Sequence, residues 1–76
     1  MNKELYTMLK TSAEADKAKA LLSLELLGNK AVGIGDHSTE DFYKNAEEAL
    51  TNLVDADDRL STLVRYFNEP QEQING

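Results

Sequence analysis

The chain has 76 residues with 8 basic and 14 acidic side chains, one histidine and no cysteine, and its formal net charge at pH 7 is −6. A single domain of this size buries only about 60% of the surface that its unfolded chain exposes, and without cysteine neither a disulfide nor a thiolate zinc site reinforces it. No run of about 20 apolar residues that would span a membrane is present, and Met1 to Glu4 lack the pattern of a signal peptide, so we expect a cytoplasmic protein without a membrane partner.

The acidic residues are concentrated in the second half of the chain. Residues 1–30 hold five lysines and four acids, whereas residues 31–76 hold three basic residues and ten acids. A nucleic-acid backbone is bound by clustered Lys and Arg side chains that replace its counterions, so we expect no direct nucleic-acid binding. The pattern fits either a basic protein partner or an acidic surface that keeps the protein in solution.

A first helix is predicted over about residues 3–27, because this stretch is rich in helix formers and lacks glycine and proline. Gly28 or Asn29 is expected to end it in the left-handed conformation. Its apolar residues follow two stripes, and the sequence does not decide which stripe faces another helix. One consists of Leu5, Met8, Ala15, Leu22 and Leu26, with Ser12 and Lys19 among them; the other consists of Tyr6, Leu9, Ala13, Ala20, Leu24 and Leu27. Two stripes predict burial on two sides in the C-terminal half of the helix.

The connection over residues 28–38 is glycine-rich and carries the histidine. Glycine lets backbone N–H groups approach a ligand, and the following helix start offers unpaired N–H groups. One hypothesis is therefore a site for a small anionic ligand, such as a signalling nucleotide, at Gly33, Gly35, His37, Ser38 and Thr39. The spacing matches neither a Walker loop nor a dinucleotide fingerprint, and Asp36 opposes an anion. The interpretation that we favour is a tight turn in which Val32 and Ile34 close the end of a bundle.

Asp36, His37 and Ser38 do not predict a catalytic triad, since consecutive residues point in different directions whereas a triad converges in space. His37 and Asp41 could lie one turn apart at a helix start. Two or three mixed ligands nevertheless fall short of the four that a closed zinc site uses. We therefore predict no catalytic residue, no metal and no cofactor, and a protein that is not an enzyme.

A second helix is predicted over about residues 39–68, and its apolar residues form a heptad seam. They alternate in steps of four and three through Phe42, Ala46, Ala49, Leu53, Ala56, Leu60, Leu63 and Phe67. The core and interface residues predicted from this seam are Leu53, Leu60, Leu63 and Phe67. A further set widens the apolar surface beyond one narrow contact: Tyr43, Leu50, Val54 and Val64. Pro70 disfavours helix at the residue before it, and residues 71–76 are predicted to be a flexible tail.

These elements predict an all-α fold, an antiparallel two-helix hairpin in one domain over residues 1–70. Because the apolar surface exceeds a single helix contact, we expect the hairpin to complete a helical bundle by self-association, with a dimer as the first possibility. The predicted function is that of a small noncatalytic acidic interaction module, with a protein as its partner, acting through the second helix and the central loop. The alternative is an oligomeric binder that sequesters a small anionic ligand in that loop.

The segment from Ala31 to Ser38 reads Ala-Val-Gly-Ile-Gly-Asp-His-Ser and lies between an Ala/Leu-rich helix and an acidic heptad helix. The acidic helix ends with the run Asp57-Asp58-Arg59-Leu60-Ser61-Thr62-Leu63. This arrangement resembles small uncharacterised proteins of tailed bacteriophages that have a Gly-Ile-Gly-Asp-His turn. The resemblance covers most of the chain, and the turn is its specific part. It implies a phage accessory protein that acts in the host cytoplasm on a host component.

Overall fold

The structure, a computed structural model, describes residues 1–29 and 39–67. It consists of two helices, α1 (Lys3–Asn29) and α2 (Thr39–Tyr66), which pack against each other as an antiparallel hairpin. At about 1.5 Å per residue each helix is about 40 Å long. The predicted all-α hairpin is thus confirmed. In the described ranges, neither helix combines the length and the apolar character that crossing a bilayer requires.

The helix ends differ from the predicted ones by about two residues. Gly28 lies inside α1, and its φ is outside the left-handed region. Of the two residues expected to end α1, Gly28 or Asn29, Gly28 is therefore not the one. Asn29 is the last helical residue. α2 ends at Tyr66, and the Phe67 N–H donates to the Leu63 carbonyl oxygen at 2.9 Å.

Asn2 caps the start of α1. Its side-chain Oδ1 accepts a hydrogen bond from the Leu5 N–H at 2.8 Å, and its carbonyl oxygen accepts one from the Tyr6 N–H at 3.0 Å. The side-chain bond satisfies one of the N–H groups that have no partner in the first helical turn. At the start of α2, Glu40 and Asp41 place carboxylates where the helix dipole favours negative charge.

Asn2→Ala should lower the free energy of unfolding by about 1 kcal/mol, because the first turn of α1 loses its side-chain acceptor. Urea denaturation followed by helical circular dichroism measures the change. Asn2→Ser is the matched control, since serine supplies an equivalent acceptor and should retain most of the stability. An equal loss in both variants would show that the side chain does not act as a cap.

The core between the helices is made largely of alanine. Among the described residues, six apolar side chains are buried: Tyr6, Ala13, Ala20, Ala49, Ala56 and Leu63. Within each helix these residues recur every seven positions, so they form one buried layer along α1 and one along α2, and the two layers face each other. Small side chains in adjacent layers let the two backbones approach closely, but they bury little apolar area.

The α1 residues that face α2 belong to the stripe through Tyr6, Ala13 and Ala20, which decides a question that the sequence left open. Leu24 and Leu27 on the same side are half-buried. The large residues of the other stripe are exposed: Leu5 by 43%, Met8 by 55%, Leu22 by 55% and Leu26 by 57%. The hairpin therefore covers only one of the two apolar sides of α1.

The four core and interface residues predicted on α2 differ in exposure. Leu63 is buried, Leu53 and Leu60 are half-buried, and Phe67 is 45% exposed. Phe67 follows the last residue of α2, so it lies beyond the helix that carries the buried layer. The loop over residues 30–38 and the predicted tail over residues 71–76 lie outside the described residues.

Candidate functional site

Ion pairs connect the described parts of the two helices at both edges of the alanine layers. At one edge the Arg59 Nη2 donates a hydrogen bond to the Asp16 Oδ2 at 2.8 Å, and its Nε donates to the Asp55 Oδ2 at 3.1 Å. At the other edge the Lys17 Nζ lies 3.1 Å from the Asp57 Oδ1. Because these pairs require residues 16–17 of α1 to lie beside residues 57–59 of α2, they favour this alignment of the helices over a shifted one.

The electrostatics of the first pair are set by the contact between Asp16 and Arg59. The hydrogen bond from Arg59 holds the pKa of Asp16 below its ordinary value of 3.8, and the positive charges of Arg59 and Lys19 act in the same direction. The same hydrogen bond raises the pKa of Arg59, which remains a cation. Both side chains are partly exposed, so solvent and salt screen their attraction.

We expect the Asp16 contact to make the stability fall at low pH. The pKa of Asp16 is lower in the folded state than in the unfolded state, so the folded state binds fewer protons. The stabilisation is therefore complete above the pKa of the unfolded state and is lost as the pH falls through the pKa of the folded state. Asp16→Asn should flatten the dependence of the urea midpoint on pH between about pH 2 and 5. Asp58→Asn is the control, since Asp58 has no ion-pair partner among the described residues. Equal slopes for the two variants would contradict the assignment.

A shallow polar groove of about 260 Å³ lies beside this ion pair. Its polar lining consists of Asp16, Lys19, Ser23, Asn52, Asp55 and Arg59. The two carboxylates and two cations cancel in formal charge, and Arg59 is already hydrogen-bonded to both carboxylates. The groove therefore offers no excess positive charge to attract an anionic ligand.

The predicted ligand-binding residues Gly33, Gly35, His37 and Ser38 lie outside the described residues, and Thr39 is the first residue of α2. The anionic-ligand site thus stays a prediction. Within residues 1–29 and 39–67, no group of three or more His, Cys, Asp and Glu side chains is placed to hold a metal ion.

The first exposed apolar surface follows α1 on the side that faces away from α2. We call it the α1 stripe, and it consists of Leu5, Met8, Ser12, Ala15, Leu22 and Leu26, with Lys19 between Ala15 and Leu22. These positions alternate in steps of three and four, which makes the stripe a second heptad seam on the same helix. α1 as a whole holds four lysines and four acidic residues and is formally neutral. Its outer surface is therefore apolar without a dominant charge.

The second exposed apolar surface lies on α2. We call it the α2 face, and it consists of Tyr43, Leu50, Val54 and Val64, which are exposed by 52% to 58%. Acidic residues stand among them: Glu47 lies one turn from Leu50, and Asp57 and Asp58 lie one turn from Val54. Among the described residues, Glu47 and Asp58 make no ion pair. α2 holds seven acidic and three basic residues, a net charge of −4.

The pairing of Asp16 with Arg59 was not foreseen from the sequence, although a signal for it exists. The signal is that Asp16 and Arg59 each follow a buried alanine, Ala13 and Ala56, by three positions and therefore lie at the edge of the buried layer on each helix. Asn2 was also missed as a cap, because the residue before Lys3 was not considered as a helix start. The ion pair depends on how the two helices are aligned and the cap on a local hydrogen bond, so neither omission changes the helix assignment.

No family model, no curated protein and no solved structure matches this chain significantly. The resemblance to small tailed-phage proteins accordingly stays a prediction.

Proposed function

We propose that the protein is a noncatalytic interaction module whose α2 face binds a basic, amphipathic helical segment of another protein. The observation that carries the proposal is the exposure of Tyr43, Leu50, Val54 and Val64 beside Glu47 and Asp58, two carboxylates that make no ion pair within residues 1–29 and 39–67. Contiguous exposed apolar surface with a polar rim marks interaction sites on soluble proteins.

The distribution of apolar side chains supports an interaction role. Among the described residues, thirteen large apolar side chains are exposed, whereas only Tyr6 and Leu63 of that size are buried. A hairpin that hides two large side chains and presents thirteen keeps most of its apolar area available for other molecules. The residues of the α2 face lie seven, four and ten positions apart, spacings that keep them on one side of the helix, as the recognition of another amphipathic helix requires.

The charge of α2 supports a basic partner. Glu47 and Asp58 flank the apolar residues, and lysines or arginines on the partner would pair with them at the rim of the contact. A partner with an acidic rim would meet like charge, so the same residues would also give specificity. In the setting that the resemblance to phage proteins implies, the partner is a host component in the cytoplasm.

The test uses two synthetic helical peptides with leucines at heptad spacing, one flanked by lysines and the other by glutamates. Fluorescence anisotropy should show that the lysine peptide binds and the glutamate peptide does not. Binding should weaken as salt rises from about 0.1 M to 1 M, where the screening length falls from about 10 Å to 3 Å. Leu50→Glu should abolish binding. Leu22→Glu, a change of equal chemistry at an equally exposed site on α1, should retain it.

Three results would contradict the proposal. One is equal binding of both peptides, another is binding of neither, and the third is an equal loss of binding in Leu50→Glu and Leu22→Glu. Helical circular dichroism of both variants accompanies the binding data, because the comparison requires that each variant keeps its helices.

A further inference from the structure

The α1 stripe has a pattern that is complementary to itself. Over positions 5 to 22 the large apolar residues Leu5 and Leu22 lie at the two ends, the small residues Ser12 and Ala15 lie in the middle, and Met8 and Lys19 stand between them. Reversing the direction of the helix about the point between Ser12 and Ala15 places Leu5 on Leu22 and Met8 on Lys19. An isologous contact, in which one surface meets a copy of itself, requires this kind of pattern.

We propose that a second copy of this chain covers the α1 stripe, with the two α1 helices antiparallel about a two-fold axis between Ser12 and Ala15. Leu5 of each copy then packs on Leu22 of the other, and Ser12 packs on Ala15 at the centre. The small central side chains permit close approach of the helices. This surface is different from the α2 face, so the inference extends the proposed function rather than restating it.

Charge favours a second copy on α1 and an antiparallel arrangement. α1 is formally neutral, so two copies of it meet without net repulsion, whereas two copies of the α2 face would bring net charges of −4 together. Lys19 is the charged residue within the stripe. In a parallel pair it would meet itself, but in the antiparallel pair it lies beside Met8, with its own Asp16 4.0 Å away. The opposed helix dipoles also favour the antiparallel pair.

The apolar side chains available on the stripe exceed those in the hairpin core. Leu5, Met8 and Leu22 are each 43% to 55% exposed, and in this register the dimer would cover all three on each copy. Among the described residues, the hairpin alone buries two side chains of that size, Tyr6 and Leu63, beside four alanines. A domain of this length has a thin core, and the proposed contact would add three covered large apolar side chains to those two on each copy.

Sedimentation velocity on the full chain and two matched variants tests which surface forms the dimer contact. Leu22→Glu lies on the α1 stripe and Leu50→Glu on the α2 face, and the two leucines are 55% and 54% exposed. We expect the unmodified chain and Leu50→Glu to be dimers. Leu22→Glu should dimerise at least about 100-fold more weakly, because two carboxylates would be buried without partners. Met8→Glu is a second stripe variant, and all variants are compared by helical circular dichroism.

The register is tested by disulfide cross-linking, which is unambiguous because the chain has no cysteine of its own. Leu5→Cys and Leu22→Cys are prepared separately and then mixed under oxidising conditions. The antiparallel pair predicts a mixed disulfide between the two variants. It predicts little cross-linking of either variant with itself, since identical positions lie about 26 Å apart along the axis and a disulfide joins Cα atoms about 4.4–6.8 Å apart.

Several results would overturn the inference. They are a monomeric unmodified chain, a dimer that Leu50→Glu dissociates while Leu22→Glu does not, and disulfides that form within each cysteine variant but not between them. Dissociation by both glutamate variants with their helices intact would also overturn it, because the contact would then not be confined to the α1 stripe. Peptide binding by the α2 face is measured separately, so either proposal is able to fail without the other.

Discussion

Ala56→Leu is expected to lower the free energy of unfolding by about 1–3 kcal/mol, the usual cost of overpacking a close-packed core. Ala56 is fully buried between the two helices, so a larger side chain there would separate them. Separation would also lengthen the interhelical contacts at both edges, including the 2.8 Å bond between Arg59 and Asp16. Urea denaturation at a fixed protein concentration measures the effect.

The matched control for this change is Ala18→Leu. Ala18 is exposed on α1, and leucine is nearly as good a helix former as alanine, so the control should unfold within about 0.5 kcal/mol of the unmodified chain. If the two variants had the same stability, the alanine layers would not set the distance between the helices. The fold would then depend on other contacts.

Leu63→Ala is expected to cost about 2–5 kcal/mol, the range found when a buried leucine is truncated and a cavity remains. Leu63 is 7% exposed, and among the described residues it and Tyr6 are the two large apolar side chains that are buried. A 76-residue domain has a total stability of about 4–11 kcal/mol at 0.05–0.15 kcal/mol per residue. The truncation should therefore leave a substantial fraction of the protein unfolded.

Leu50→Ala is the control for the truncation, because Leu50 is 54% exposed on the α2 face. It should change the unfolding midpoint little, since the hairpin covers less than half of its side chain. A loss in Leu50→Ala as large as that in Leu63→Ala would mean that the α2 face is covered in the protein in solution. Such a result would favour an assembly through the α2 face over one through the α1 stripe.

The helical architecture was predictable because periodicity dominates this sequence. On α2 the apolar residues follow one continuous seam, and Ala49, Ala56 and Leu63 of that seam are buried. On α1 the sequence presents two competing stripes. The stripe with Leu5, Met8 and Leu22 has four large apolar residues, as many as the other stripe, yet it faces away from α2.

Alanine explains why the choice between the stripes was not made from the sequence. A methyl side chain adds little hydrophobic area, so a stripe of alanines is a weak signal by composition. The decisive signal is the matching of the two helices: Tyr6, Ala13 and Ala20 recur every seven positions on α1, as Ala49, Ala56 and Leu63 do on α2. This pattern becomes visible only when both helices are aligned together.

The candidate interaction surfaces were predicted in part. The excess of apolar residues on α2 pointed to a contact beyond the hairpin, and Tyr43, Leu50, Val54 and Val64 are exposed. Which acidic residues lie beside them, and which ones have partners, depends on the side-chain geometry. Asp57, for example, is paired with Lys17 of the other helix, a contact that no local pattern in α2 indicates.

Sedimentation equilibrium of the unmodified chain tests most directly whether the apolar surface outside the hairpin is an interaction surface. Over concentrations from about 1 µM to 1 mM, a range that covers weak to moderate dissociation constants, the fitted mass should rise from the monomer value of 8.5 kDa to twice that value and then stay constant. A mass of 8.5 kDa at every concentration would contradict self-association through the α1 stripe. A mass that keeps increasing beyond the dimer would contradict the closed two-fold contact.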